Sequence, residues 1–269
     1  MSDRKRDERI AIMLALLSQR GELQVRFLPK GLGVSGATVR RDLAVMEETG
    51  LIRRSYGKVV ATRRGAELPV SLRHSQNTEA KRRIGALVSS LIPSRPLVVA
   101  MSGGSTVGFV AKSLASRPDL TVVTNGLDTA ASLMVRQVVK VVVTGGTARS
   151  LSNDLVGKEA EKALRSYRFD YAVVGADGIS PEAGFTCHSK RGAEINRVML
   201  EQADHKVIVA DSSKLGRMRQ AKIADIGSVH TLVTDSHASA AMVAALRKVG
   251  VATTTVVIPA SGSERGRAR

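Results

Sequence analysis

The stretch Val34-Ser35-Gly36-Ala37-Thr38-Val39-Arg40-Arg41-Asp42-Leu43 decides how this chain is read. Ser35 is a good helix N-cap, because its hydroxyl can accept a hydrogen bond from an otherwise unpaired amide of the first turn. Val39, Leu43 and Met46 then fall at i, i+4 and i+7, an apolar face that must pack inward. The opposite face carries Gly36, Thr38, Arg40 and Arg41, whose small, hydroxyl and guanidinium groups suit base edges and phosphates. Taken alone, the same residues would serve equally as a surface helix with two solvated arginines.

The flanks break that tie. Residues 8–17 place Ile10, Met13, Leu14 and Leu17 on one helical face that closes near Gly21. Residues 25–32 follow as the first helix of a helix-turn-helix, with Gly33 at the turn. Beyond the quoted helix, 50–61 reads as two short strands about a Tyr56-Gly57-Lys58 turn, made basic by Arg53, Arg54 and Lys58. Three helices and a basic wing match modules that enter the major groove and hold the flanking backbone. Ser35, Gly36, Thr38, Arg40, Arg41, Arg53, Arg54 and Lys58 are therefore the expected contacts to a double-stranded DNA operator.

Composition agrees. The 269 residues carry a net charge of +17 and an isoelectric point near 10.7, with basic residues dense in the first 65 positions and again over 261–269. Such an excess points to a polyanion. A membrane surface is the competing partner, but the basic stretches lack an interfacial apolar face and tryptophan is absent. No run reaches membrane-spanning length and the N-terminus has no signal-like apolar region, so a soluble, cytoplasmic protein is expected. Cys187 is the lone cysteine, which excludes an internal disulfide; its neighbour His188 invites a nucleophile-and-base reading, but adjacent residues seldom point together.

Past the wing, Gly65 and Pro69 interrupt the periodic pattern, so the expected division is 1–64 winged helix-turn-helix, 65–78 linker, 79–258 α/β domain and 259–269 a basic tail without fixed structure. Strands are expected at 97–100, 120–124, 139–143, 171–174, 207–210, 231–233 and 254–258. Each is nearly all apolar rather than alternating, which requires burial on both faces and hence a mostly parallel open sheet covered by helices. In such sheets ligands bind beyond the strands' carboxyl ends. There stand Ser102, Gly104, Ser105 and Thr106; Thr124 and Asn125; Gly145 and Gly146; Asp177 and Gly178; and Lys214. Glycines let backbone amides approach a ligand, hydroxyls add donors, and the helix after Gly104 presents its positive end, so these turns describe a phosphate cradle. Neither a P-loop nor a dinucleotide fingerprint is present, and the five histidines lack ligand spacing, so no cofactor and no metal is expected.

The string Thr38-Val39-Arg40-Arg41-Asp42-Leu43, with the residues over 9–14, Val34-Ser35, Gly50-Leu51-Ile52-Arg53 and Tyr56-Gly57, resembles the N-terminal domain of the DeoR family of bacterial transcription regulators. The resemblance extends over 79–235 through Gly104-Ser105-Thr106, Thr124-Asn125, Gly145-Gly146, Gly175-Ala176-Asp177-Gly178 and Asp211-Ser212-Ser213-Lys214. It implies a fold related to ribose-phosphate isomerases and coenzyme A transferases, a phosphorylated sugar as effector, and repression of a carbohydrate-metabolism operon. On that expectation Gly104, Ser105, Thr106 and Gly146 hold the phosphate, Lys214 is its counter-charge, and Asn125 and Asp177 meet the sugar. Because one small reader buries little surface and a second copy adds effective concentration, a homo-oligomer, dimer or tetramer, is expected. Three positions depart from the family pattern: Pro29 inside the first motif helix, Lys58 in place of a wing glycine, and Ser102 where an aspartate is common. The alternative is a sugar-phosphate isomerase with an appended DNA-binding module, Asp177 acting as general base and Lys214 stabilising an enediolate.

Overall fold

The computed structural model describes residues 2–62 and 67–258, and the chain divides into two compact units, Met1–Thr78 and Glu79–Arg269. The first runs α1 (Ser2–Arg20), β1 (Glu22–Gln24), α2 (Leu28–Leu32), α3 (Gly36–Glu48), β2 (Ile52–Ser55), β3 (Lys58–Ala61) and α4 (Val70–Ser75). Val39, Leu43 and Met46 of α3 join Ile10, Met13, Leu17 and Val59 in one core, as the apolar spacing requires.

Three details depart from the sequence expectation. The wing gains a third strand, because β1 pairs with β3 and buries Leu23. A single 3-10 turn, Val25–Phe27, precedes α2, so the motif's first helix starts late and Pro29 falls in its first turn, where its missing N–H would have no helical partner. The segment expected as linker holds α4, whose Val70 and Leu72 are buried, Leu72 in the core shared with α1 and α3. The expected tail over 259–269 lies outside the described residues.

The second unit runs α5 (Thr78–Leu91), β4 (Leu97–Met101), α6 (Ser105–Leu114), β5 (Leu120–Thr124), α7 (Leu127–Met134), β6 (Lys140–Val143), β7 (Thr147–Arg149), β8 (Asp154–Val156), α8 (Lys158–Arg165), β9 (Phe169–Gly175), β10 (Gly178–Ser180), β11 (Gly184–Cys187), α9 (Lys190–Glu201), β12 (Ala203–Val209), β13 (Ala221–Ala224), β14 (Thr231–Asp235), α10 (Ala240–Lys248) and β15 (Ala252–Val256). Its main sheet has the order β15-β14-β12-β9-β4-β5-β6, parallel throughout. Successive residues of a strand face opposite sides, and both sides are covered. Val99, Met101, Val122, Val173 and Val209 pack with Ile84, Val88, Val107 and Val110 of α5 and α6. Ala100, Val123, Ala172, Val174 and Ile208 pack with Leu164, Ile195 and Val198 of α8 and α9. Continuous apolar strands follow from those two cores.

β15 begins and ends two residues earlier than expected, since its threonines, β-branched but not apolar, take the ladder positions beside β14. The hairpin β7–β8 and the small antiparallel sheet β10-β11-β13 were not legible as strands. Helices α5 and α6 meet at Gly85, where a Cβ would stand 2.6 Å from the Phe109 carbonyl oxygen. Gly85→Val is therefore expected to cost about 1–3 kcal/mol by overpacking, read as a lower denaturant midpoint. No helix among the described residues is long and apolar enough to cross a membrane.

Candidate functional site

In the first unit, the Ser35 hydroxyl caps α3 by accepting the Thr38 amide at 3.2 Å, and it also bonds the Thr38 hydroxyl at 2.9 Å. Ser35 thus fixes where the helix starts. Gly36 stands exposed in the first turn, and Arg40, Arg41 and Arg53 are exposed and make no ion pair among the described residues. The other two wing cations are engaged: Arg54 pairs with Glu47 at 3.1 Å and donates to the Arg40 carbonyl at 3.3 Å, while Lys58 pairs with Glu22 at 2.7 Å. Arg54 therefore staples β2 to α3, a role that sequence spacing did not suggest. Asp42 was the larger omission. It is 2% exposed and accepts two bonds from Arg9 of α1, at 2.7 and 3.1 Å, which hold the Arg9 guanidinium above its ordinary pKa.

In the second unit the strand order sets the turns after β12, β9, β4, β5 and β6 side by side along one sheet edge. Gly104, with φ 102°, precedes the first turn of α6, where Ser105 and Thr106 lie. Gly145 and Gly146 both have positive φ, and a Cβ at Gly146 would approach the Val156 carbonyl to 2.7 Å. Asn125 is 2% exposed; its amide donates to the Leu155 carbonyl at 2.9 Å, while its own oxygen finds no hydrogen-bond partner among the described residues. Lys214 ends the half-buried turn Ser212–Lys214, which Asp211 caps through the Ser213 amide at 3.2 Å.

Three of the expected effector residues are occupied by the fold. Ser102 accepts the Gly175 amide at 3.1 Å and donates to the Gly103 carbonyl at 3.0 Å, tying β4 to β9. Thr124 is fully buried and accepts the Gly126 amide at 3.0 Å. Gly178 opens β10, and a Cβ there would meet the Arg217 carbonyl at 2.6 Å. The Asp177 carboxylate lies 3.4 Å from the His188 amide and near Arg219, whose pKa burial and the charge of Arg217 push down while Asp177 opposes them. Among the described residues no cluster has the makings of a metal site.

Residues 9–64 match the family model described as a DeoR-like helix-turn-helix domain, and residues 76–236 match the one described as the DeoR C-terminal sensor domain. The chain belongs to the DeoR family. A Haloferax volcanii HTH-type transcriptional regulator GlpR is 34% identical to this DeoR chain over 85% of its length and 89% of the relative's. The glycerol-3-phosphate regulon repressor of Escherichia coli K12 is 28% identical over 86% and 92%. Among solved structures, a ribose 5-phosphate isomerase A from Methanocaldococcus jannaschii aligns with 52% of this chain and 55% of its own, at 18% identity and a TM-score of 0.39.

Two features of this DeoR sensor unit escaped the sequence reading. The hairpin β7–β8 folds over the end of β5, where the Leu155 amide donates to the Asn125 backbone carbonyl at 2.7 Å and Asp154 bridges to Gly126. It brings the Asp154 carboxylate against Gly103, where a Cβ would stand 1.5 Å from Asp154 Oδ1, so a side chain at 103 would displace that carboxylate. Lys81, the fourth residue of α5, lies 3.9 Å from Asp211, and both are buried. A surface cleft of about 320 Å³ lies beside Lys206, Lys222 and Ser228, away from the strands' carboxyl ends, and two of its cations are engaged locally: Lys222 pairs with Asp225, and Arg197 donates to the Lys222 carbonyl at 2.8 Å.

Proposed function

We propose that this chain is a cytoplasmic transcription regulator, a repressor of a carbohydrate-metabolism operon, that binds duplex DNA through α3 and the wing and is controlled by a phosphorylated sugar. It acts as a homo-oligomer and catalyses no reaction. On the DNA side the carrying observation is that Arg40, Arg41 and Arg53 stand exposed, with no ion pair among the described residues, on a chain of net charge +17. On the effector side, Gly104, Ser105, Thr106, Gly145 and Gly146 offer amides and hydroxyls to a phosphate at the positive end of α6, and Lys214 adds charge. The unsatisfied oxygen of Asn125 suits a sugar hydroxyl, since leaving such a group unpaired costs about 1–3 kcal/mol. Asp154, bridged to Gly126, lies at the same turn and Asp177 follows β9, while Ser102, Thr124 and Gly178 shape the turns. The name of the E. coli relative, a glycerol-3-phosphate regulon repressor, favours a small phosphorylated carbohydrate.

Thermal denaturation of the full chain tests the effector. A ligand present at about a hundred times its dissociation constant adds about 2.7 kcal/mol to the folded state. A clear rise in midpoint is expected with one of a panel of phosphorylated sugars and polyols, and none with its dephosphorylated form. If no member of the panel moves the midpoint, the sensor assignment falls.

A further inference from the structure

Tyr56 occupies the tip of the β2–β3 hairpin with its side chain fully exposed and its backbone at φ 42°. With Gly57 at φ 76° it forms the two positive-φ central residues of the turn between Ser55 and Lys58. Such turns favour asparagine, aspartate or glycine, because a bulky side chain is strained in that region. Tyr56 thus combines a disfavoured backbone with an aromatic ring in solvent, and it makes no ring contact, hydrogen bond or ion pair among the described residues. Nothing in the folding of the domain accounts for a tyrosine there.

The tip is nevertheless held firmly. Arg54 ties its first strand to Glu47 and to the Arg40 carbonyl of α3, Lys58 ties its second to Glu22, and the Gly57 carbonyl accepts the Val25 amide at 2.9 Å. A strained aromatic on a braced support is a presented group rather than a loose one. Exposed Arg53 stands three residues before it without an ion pair among the described residues, and Arg40 and Arg41 lie on the helix to which the wing is stapled, so the surface is complementary to a polyanion with apolar edges between its charges. Duplex DNA has that character: sugar walls and base edges line the floor of the minor groove between two rows of phosphates.

We infer that Tyr56 is the wing's groove-entering residue, its ring wedged against the sugars and base edges of the minor groove while α3 occupies the adjacent major groove. The inference rests on the DNA-binding reading above and adds to it an uncharged contact made through shape. Because the ring neutralises no phosphate, its contribution does not depend on salt, unlike that of the arginines.

The probe is a duplex selected by the wild-type full chain from a random-sequence pool, with affinity measured across a range of salt concentrations. Tyr56→Gly relieves the strained backbone, so its thermal midpoint should equal or exceed that of the wild type. Its affinity for the selected duplex should nonetheless fall about tenfold or more, with an unchanged salt slope, whereas Arg53→Ala should lower the slope by about 0.9. Tyr56→Phe keeps the ring and should stay within about threefold. A Tyr56→Gly chain that binds like the wild type, or a Tyr56→Phe chain as weak as Tyr56→Gly, overturns the wedge and leaves the DNA-binding reading standing. A wild-type chain that selects no duplex removes that reading and the wedge with it.

Discussion

Replacing Arg40 and Arg41 together by alanine is expected to abolish measurable operator binding while the effector's thermal shift survives. The two residues stand on the exposed side of α3, opposite Val39, Leu43 and Met46, and no acid among the described residues competes for them. Consecutive helical residues point about 100° apart, so on the proposed DNA-binding reading one guanidinium should meet base edges and the other the backbone. A bidentate base contact contributes about 1–3 kcal/mol of discrimination, and each neutralised phosphate adds about 0.9 to the salt slope. The loss should therefore appear both as weaker affinity and as a shallower log–log salt dependence in anisotropy titrations. Neither arginine belongs to the core, so the double variant should melt with the wild type. Unchanged affinity in a folded double variant would refute the assignment of α3 as the reading helix.

The second large effect is expected at Lys81. Its ammonium and the Asp211 carboxylate, 3.9 Å apart, are 3% and 2% exposed, an ion pair removed from water near the end of β12. Deleting one partner of such a pair leaves the other charged and buried, which costs about 3–5 kcal/mol. Lys81→Met should accordingly lower the thermal midpoint by about 10 °C, at about 2–4 °C per kcal/mol for a unit of this size. Asp211→Asn in the same chain should restore part of that loss, because the amide can still accept from Ser213 while no charge is stranded. A Lys81→Met chain that melts within a degree or two of the wild type would show the pair to be inert. Asp211 also caps the turn that carries Lys214, so effector affinity should weaken along with stability.

What the sequence disclosed and what it hid divide along physical lines. The Ser35 cap, the inward face of α3 and the doubly buried strands are local patterns, with period 3.6 or continuous apolarity, and a single chain displays them directly. Strands of three or four residues such as β1, β8 and β10 carry too little pattern to be seen, and β15 was displaced because threonine satisfies a ladder without looking apolar. Among the site residues, a hydroxyl or amide after a strand is visible, but whether the fold has already used it is not. Ser102 and Thr124 turn out to bind neighbouring amides, while the Asn125 side-chain oxygen has no partner among the described residues. Partners distant in sequence were invisible for the same reason: nothing near Asp42 announces Arg9, and nothing near Lys81 announces Asp211.

The fork between Arg9 and Asp42 has a mechanical consequence. A helix seated only on leucine and methionine can roll about its long axis at little cost, because dispersion contacts are many, weak and interchangeable. Two parallel bonds at 2.7 and 3.1 Å to the residue directly after Arg41 remove that rotational play. The azimuth at which the paired guanidinium groups leave the protein is thus clocked from behind by α1, and loosening this pin should blur sequence selectivity before it unfolds the domain.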